Sequence, residues 1–193
     1  MMMTTIFRWA LFLERLFLIG ILALLSACAS YSGRGLIPSQ ATLDDVLKVM
    51  GEPAMRWRDA DGRQQLAYPH GPEGLQTFMV FVDPDERLER IEGVLDPAHF
   101  ARIRNGQSDQ AEVERLLGPS QSQWTAYFIA RDELVWEWRV CGSRNVVAKF
   151  DVLFDATTGI VRSTFERPED SGGMTGGFMR SRRSHSHASS CVN

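Results

Sequence analysis

The sequence predicts an α+β fold of two tandem small modules, in each of which short helices pack on a three-stranded antiparallel sheet. The first observation is a weak internal repeat, in which TLDDVLKVMGEP at 42–53 matches DQAEVERLLGPS at 109–120. The second is that three strand-like segments follow each copy. The third is physical: small antiparallel sheets need helices over their apolar face, which makes an α+β layer. We therefore expect module 1, a degenerate copy, at 41–95 and module 2 at 96–167.

The chain begins with the features of an export signal. Arg8 and Arg15 supply positive charge before an apolar run, LFLIGILALL at 16–25. This run is too short to cross a bilayer core as an ordinary helix. A basic start, a short apolar run and small residues before a cleavage point are typical of a secretory signal peptide. We therefore assign residues 1–27 to a signal peptide and exclude them from the fold. A retained membrane anchor is the alternative.

A cysteine follows this apolar run directly. LSAC at 25–28 resembles the lipobox of bacterial lipoproteins, which implies that Cys28 becomes the first residue of the mature chain and bears diacylglycerol and palmitate. Two or more acyl chains hold a protein on a membrane where one does not. Ala29 stands where an aspartate commonly retains such proteins at the inner membrane, so the resemblance implies the periplasmic face of the outer membrane. Residues 28–40 would be the lipidated tether.

Composition excludes one class of partner and leaves a disulfide open. The chain has 21 basic and 24 acidic side chains and a net charge of −3, which is not the balance of a nucleic-acid-binding domain. With Cys28 lipidated, Cys141 and Cys191 remain, and an oxidising compartment would allow them to pair. The pattern around Cys141 favours a small hydrophobic residue packed in a strand.

Each copy of the repeat predicts a short helix with defined ends. Thr42 with Asp45, and Asp109 with Glu112, have the spacing of N-terminal capping pairs. The apolar residues form one helical stripe, and the closing glycine is expected in the left-handed conformation that ends a helix. The equivalent pairs are Val46 and Val113, Val49 and Leu116, Met50 and Leu117, Gly51 and Gly118, and Trp57 and Trp124.

Six segments have the alternation of strands. They are 64–69, 77–83, 88–94, 134–140, 148–154 and 160–166. Alternation places Leu134, Trp136, Trp138 and Val140 on one face, so the tryptophans are expected in the core or on a sheet face. The turns after Asp83 and Asp155 correspond, which aligns Leu88 with Ile160. Between the modules, DPAHFARIRNG at 96–106 predicts another helix, capped by Asp96 and closed by Gly106.

The end of the chain has no apolar periodicity. Residues 168–193 are rich in Gly and Ser and cannot offset their ordering entropy by burial, so they are expected to form a disordered tail. His185 and His187 lie in this tail and are expected to be solvated rather than to hold a metal.

These residues resemble a known family. FARIRNGQSDQAEVERLLGPS at 100–120, WEWR at 136–139 and VLFDATTGIV at 152–161 are similar to the SmpA/OmlA (BamE-like) outer-membrane lipoprotein family. Module 1 looks like a degenerate copy, in which the first helix is absent or is replaced by LIPSQ at 36–40. Tandem copies of this layout also resemble the β-lactamase inhibitor protein fold.

The resemblance implies a non-enzymatic lipoprotein that binds proteins and serves outer-membrane protein assembly or envelope integrity. The alternative is a periplasmic enzyme-inhibitor-like binding protein. His70 and His99 are the only histidines within the two modules, and no nucleophile, phosphate-loop or metal-ligand motif is present. We therefore expect no enzyme, catalytic residue, cofactor or metal. The expected partners are membrane lipid through Cys28 and an outer-membrane or periplasmic protein, whose identity and interface stay open, as does the oligomeric state.

Overall fold

The fold is given by a computed structural model, which describes residues 32–70, 74–120, 123, 125–142, 145–169 and 191. The helices and strands are α1 Leu43–Met50, β1 Met55–Arg58, β2 Gln64–Pro69, β3 Thr77–Val82, β4 Leu88–Gly93, α2 Pro97–Phe100, α3 Gln110–Leu117, β5 Ala126–Phe128, β6 Glu133–Cys141, β7 Val147–Asp155 and β8 Val161–Pro168. A 3₁₀ turn, Ile129–Arg131, joins β5 to β6. Both halves belong to one compact unit. Within the described residues, no helix has the length and apolar character needed to span a membrane.

The two sheets are four-stranded and antiparallel, in the orders β1-β2-β3-β4 and β5-β6-β7-β8. The predicted α+β class is therefore confirmed, and the predicted three-stranded sheets are wrong. The six predicted strands correspond to β2–β4 and β6–β8, and each sheet has an additional first strand at one edge. β1 and β5 have only four and three residues, too few to show the alternation by which strands are recognised in sequence.

Helices α1 and α3 begin at the predicted caps. The side chain of Thr42 accepts from the backbone N–H of Asp45, whose carboxylate accepts from the backbone N–H of Thr42 at 3.0 Å. The carboxylate of Asp109 accepts from the backbone N–H of Glu112 at 2.7 Å. These bonds satisfy backbone donors that the first turn of a helix leaves without a partner.

The glycines that end the two helices differ from the expected left-handed geometry. Gly51 has φ 80° and ψ −164°, and Gly118 has φ 79° and ψ 178°. The positive φ was expected, but ψ is extended, because the chain leaves each helix directly into an extended segment. This region of backbone space is essentially confined to glycine.

Each sheet packs one face on its own helix. In the first half, α1 and β2–β4 bury the residues Val46, Met50, Leu66, Tyr68, Val80, Val82 and Leu88. In the second half, α3 covers the face of β6 and β7 that alternation predicted, and the buried set is Val113, Leu117, Trp138, Val140, Phe150, Val152 and Phe154. Trp57 and Trp136 are half-buried and pack against these interiors, as expected. Trp124 lies outside the described residues.

Backbone hydrogen bonds give the sequence repeat a structural counterpart. The N–H of Ser39 donates to the carbonyl of Leu88 at 2.7 Å, and the N–H of Gly106 donates to the carbonyl of Val161 at 2.7 Å. Three further N–H to carbonyl bonds of the first half have a counterpart in the second half. Leu88 to Ala41 matches Val161 to Ser108, Leu43 to Glu86 matches Gln110 to Gly159, and Gln40 to Ile37 matches Gln107 to Arg104. In each half, the segment that precedes the helix is therefore hydrogen-bonded in the same way to the last strand and to the turn before it.

These bonds correct two details of the predicted alignment. Leu88 is equivalent to Val161 rather than to Ile160, because the turn that starts at Asp155 is one residue longer than the turn that starts at Asp83. LIPSQ at 36–40 is equivalent to the turn at 103–107, so it does not stand in place of a helix.

The helix predicted over 96–106 is shorter than expected. Asp96 caps it as predicted, but α2 ends at Phe100, and a series of turns follows. The ring of Phe100 stacks on Phe150 with the centroids 3.8 Å apart, and Ile103 is buried in the same interior. Both apolar positions therefore face inward as predicted, while the hydroxyl of Ser108 accepts from the N–H of Arg104 at 3.1 Å and holds a turn where a helix was expected.

Helix α3 contacts both sheets. Its residues Val113 and Leu117 belong to the interior of the second half. At its C-terminal end, the side chain of Gln65 on β2 donates to the carbonyl of Arg115 at 2.6 Å. A Cβ atom on Gly118 would lie only 2.8 Å from Cγ2 of Thr77 on β3. The end of α3 therefore packs closely on the face of the first sheet that α1 does not cover.

The C-terminal segment departs from the prediction at both of its described ends. Strand β8 continues to Pro168, and Glu169 forms an ion pair with Arg139 at 2.8 Å, so the first two residues of the predicted tail belong to the described fold. Cys141 lies exposed at the end of β6 and forms a disulfide with Cys191. The expectation that Cys141 packs as a small hydrophobic residue is therefore wrong. Residues 170–190, with His185 and His187, lie outside the described part.

Candidate functional site

A cleft of about 340 Å³ lies between the first sheet and the α2–α3 region of the second half. Its size falls at the lower end of the range for ligand sites. Phe81 and Leu116 are half-buried and supply accessible apolar surface on its two sides. Beside the cleft, the end of α3 contacts β2 through the hydrogen bond from Gln65 to the carbonyl of Arg115.

The lining of this cleft is rich in arginine. Four arginines, Arg90, Arg102, Arg104 and Arg115, line it together with two glutamates, Glu92 and Glu112. The chain as a whole has a net charge of −3, so this excess of positive charge is local. Arg102 and Arg104 flank the buried Ile103 and are exposed, because alternate residues of this turn point away from the interior.

Arg115 connects the two halves across the cleft. Its guanidinium donates to a carboxylate oxygen of Asp59 at 2.6 Å and to the side-chain oxygen of Gln65 at 3.2 Å. Since Gln65 also donates to the carbonyl of Arg115, the two residues exchange hydrogen bonds in both directions. Arg115 is therefore already neutralised and positioned by the chain.

Arg90 is positioned on the opposite wall. Its guanidinium lies over the ring of Phe81, 3.6 Å from the centroid, and pairs with Glu92 at 2.5 Å and with Glu89 at 3.2 Å. Arg102 and Arg104, in contrast, form no ion pair with any residue that the structure describes. The cleft thus has two arginines that carboxylates of the chain neutralise and two that they do not.

His99 lies in the same cleft between two carboxylates. Its Nδ1 is 3.0 Å from Oδ2 of Asp96, and its Nε2 is 3.8 Å from Oε2 of Glu92. Burial would raise the pKa of Asp96, but hydrogen bonds from the backbone and ring of His99 outweigh burial and lower it. Among the described residues, no hydrogen bond joins His99 to Ser108, the hydroxyl that lines this cleft. The ring of His99 is therefore held between two carboxylates.

A second surface is formed by the apolar tip, defined as Ala126–Arg131. Three successive large side chains are exposed there: Tyr127 by 55%, Phe128 by 42% and Ile129 by 80%. The guanidinium of Arg131 lies 4.3 Å from the centroid of the Phe128 ring. Three exposed large apolar side chains within three residues make this tip a candidate interaction surface, since exposed apolar surface that is concentrated marks such sites more often than scattered apolar residues do.

The backbone of the apolar tip is held in place although its side chains are exposed. The carboxylate of Asp132 accepts from the hydroxyl of Thr157 at 2.6 Å, and the guanidinium of Arg162 donates to the carbonyl of Arg131 at 2.8 Å. Arg162 also pairs with Asp155 at 2.7 Å, and this ion pair, with hydrogen bonds from Thr158, lowers the pKa of Asp155 to about 2. The turn between β7 and β8 therefore anchors the tip.

The outer face of the second sheet carries a charged network. Glu137 and Asp151 are buried, although they lie on the face opposite α3. Lys149 pairs with Glu137 at 2.6 Å, and Arg167 pairs with Asp151 at 2.7 Å and with Glu137. These charges have a structural explanation, because cations and carboxylates on neighbouring strands neutralise one another.

The predicted site residues are distributed unevenly over these surfaces. Cys28, the predicted lipidation site, lies outside the described residues. His70 is exposed at the end of β2, away from the cleft lining, whereas His99 is part of that lining. Sequence reasoning missed the arginines of the cleft. The signal was present in ARIRNG at 101–106, where two arginines flank one apolar residue.

Comparison with known proteins does not place this chain in a family. No protein-family model, no curated protein and no solved structure matches it.

Proposed function

We propose that the protein is a non-enzymatic lipoprotein at the periplasmic face of the outer membrane, which binds another envelope protein through the apolar tip. The observation that carries this proposal is the combination of three exposed large apolar side chains with a hydrogen-bonded backbone beneath them. Binding costs less when the binding segment is ordered beforehand. Aromatic side chains are also enriched in the buried centre of protein interfaces.

The lipid anchor is supported by the start of the chain. LSAC at 25–28 follows a short apolar run, and the described fold begins close behind it at residue 32. A lipidated Cys28 would therefore hold the folded part near the membrane face, where envelope proteins are accessible. The similarity of 100–161 to the SmpA/OmlA (BamE-like) family favours a role in outer-membrane protein assembly or envelope integrity.

The charges beside the apolar tip favour a protein over a lipid surface as its partner. Arg131 pairs with Glu133 at 2.9 Å, and Arg162 pairs with Asp155, so the nearby arginines are neutralised by the chain. Asp132 adds a further carboxylate at the base of the tip. A surface with this balance gains nothing from the negative potential of an anionic membrane.

Co-purification with matched variants tests the proposal. The full chain, with Cys28 intact, is purified from detergent-solubilised envelope with and without the change Phe128→Ser/Ile129→Ser. We expect a specific protein to accompany the wild type and to be lost, by tenfold or more, from the double variant, since hot-spot truncations cost about 2 kcal/mol or more. The control is Phe165→Ser, which removes a side chain of similar exposure, 45%, at the other edge of the sheet.

Retention of the same protein by both variants would show that the apolar tip is not the interface. Binding of the purified protein to anionic vesicles that is lost in the tip variant would assign the tip to lipid instead. Both results would contradict the proposed role of the tip, and neither would depend on the identity of the captured protein.

A further inference from the structure

We propose that the arginine-lined cleft is a second binding site, which takes an acidic peptide segment that contains a large apolar side chain. Arg102 and Arg104 would pair with its carboxylates, and the apolar surface of Phe81 and Leu116 would take its apolar side chain. This site is separate from the apolar tip, and the proposal that it binds a peptide does not depend on whether the tip is an interface.

Two guanidinium groups of the cleft can bind an anion, although the lining also carries the carboxylate of Glu112. Arg90 and Arg115 show how carboxylates fit here, because Glu92 and Asp59 already contact their guanidinium groups at 2.5 and 2.6 Å. Arg102 and Arg104 lie on the same lining, and no described carboxylate pairs with either of them. A guanidinium binds carboxylate through two parallel hydrogen bonds, which gives direction as well as attraction.

The apolar part of the lining argues for a peptide rather than a small inorganic anion. A phosphate ion would use the guanidinium groups and leave Phe81 and Leu116 uncovered. The cleft of about 340 Å³ is partly open to solvent, so a chain can enter and leave it. An acidic peptide with one large apolar side chain uses both the charged and the apolar surface.

Fluorescence anisotropy with a labelled probe tests this inference on the purified full chain. The probe is a fluorescein-labelled hexapeptide that repeats Asp-Phe-Glu twice, and its matched control repeats Asn-Phe-Gln. We expect the acidic peptide to bind, the amide peptide to bind at least tenfold more weakly, and the affinity to fall as salt is added, since exposed charges are screened.

Arginine variants locate the site. Arg102→Gln/Arg104→Gln should weaken binding of the acidic peptide by about tenfold, on the order expected for losing two partly exposed carboxylate contacts. Arg102→Lys/Arg104→Lys, which keeps the charge and loses the planar fork, should weaken it less. The control is Arg56→Gln, since Arg56 is exposed and shares the face of the first sheet that α1 covers, opposite the cleft.

Three results would overturn the inference. Equal weakening by Arg56→Gln would show that only the overall charge matters. Equal affinity for the two peptides would show that the arginines do not read carboxylates. Complete displacement of the peptide by inorganic phosphate at concentrations where sulfate has no effect would identify a phosphate site instead. Thermal melts of the variants distinguish loss of binding from loss of fold.

Discussion

Replacing Gly118 by Ala should destabilise the protein more than replacing Gly51 by Ala, although the two glycines have almost the same backbone conformation. Both have φ near +80° and extended ψ, so any L residue is strained there. The difference lies in the space around them. A Cβ on Gly51 meets no heavy atom within 4 Å, whereas a Cβ on Gly118 would lie 2.8 Å from Cγ2 of Thr77.

The magnitudes follow from two separate costs. Backbone strain of this kind costs about 1–3 kcal/mol and applies to both variants. Forcing an additional methyl group into close packing costs a further 1–3 kcal/mol or so and applies to Gly118→Ala alone. Thr77 is almost fully buried, so it cannot swing away. We therefore expect the free energy of unfolding to fall by about 1–3 kcal/mol more in Gly118→Ala than in Gly51→Ala.

Urea unfolding followed by tryptophan fluorescence and far-ultraviolet circular dichroism measures this difference, with equal m values as the check on two-state behaviour. Thr77→Ser removes the methyl group in question and should recover part of the loss when it is combined with Gly118→Ala. Equal destabilisation by the two alanine variants, or no rescue by Thr77→Ser, would refute the close packing of α3 on the first sheet.

Three further predictions concern charge, redox state and the anchor. The pKa of Asp155 is lowered from 3.8 to about 2, so the stability that its ion pair supplies is present above pH 4 and lost as the pH falls toward 2. Arg162→Gln should return this pKa toward its ordinary value in a carbon NMR titration, and an unchanged pKa would argue against the pair. Reduction of the Cys141–Cys191 bond, whose partners are 50 residues apart, should lower stability by up to about 4 kcal/mol. Peptide mapping of the oxidised protein should find these two cysteines linked, and two freely alkylated thiols would contradict the bond. Mass spectrometry should find diacylglyceryl on Cys28, whereas a Cys28→Ala protein that stays firmly membrane-bound would favour an uncleaved anchor.

The helices and long strands were predictable because their signals are local. A capping pair such as Thr42 and Asp45 lies within one helical turn, and alternation along β6 and β7 specifies which face is buried. β1 and β5 could not be predicted in the same way. They are edge strands of four and three residues, and they are recognised as strands only by their pairing with β2 and β6.

The weakness of the repeat in the first half has a physical cause. Positive φ is needed at two equivalent positions in both halves, and the second half meets it with Gly106 and Gly159. The first half uses Ser39 and Glu86, which have φ of 65° and 60°. The first half therefore lacks the two glycines that would mark these turns in the sequence, although its backbone has the same positive φ there.

The cleft could not be assembled from the sequence. Arg115 meets Gln65 and Asp59 across 50 and 56 residues, and no local pattern records that contact. The sequence identified Asp96 as a helix cap, but neither its contact with His99 nor the contact of His99 with Glu92 was predicted. Sites between two halves depend on packing, which periodicity does not report.

Photocrosslinking in intact cells tests directly whether this chain works by binding an envelope protein. A benzophenone amino acid is placed at Ile129 in the apolar tip and, as a control, at Phe165, which is also exposed but lies at the other edge of the sheet. We expect one discrete protein adduct from position 129 that is absent from position 165 and depends on an intact Cys28. Adducts that are the same from both positions, or that contain only lipid, would contradict binding of an envelope protein through the tip. An adduct with a periplasmic enzyme whose activity falls would replace the assembly role with the inhibitor alternative.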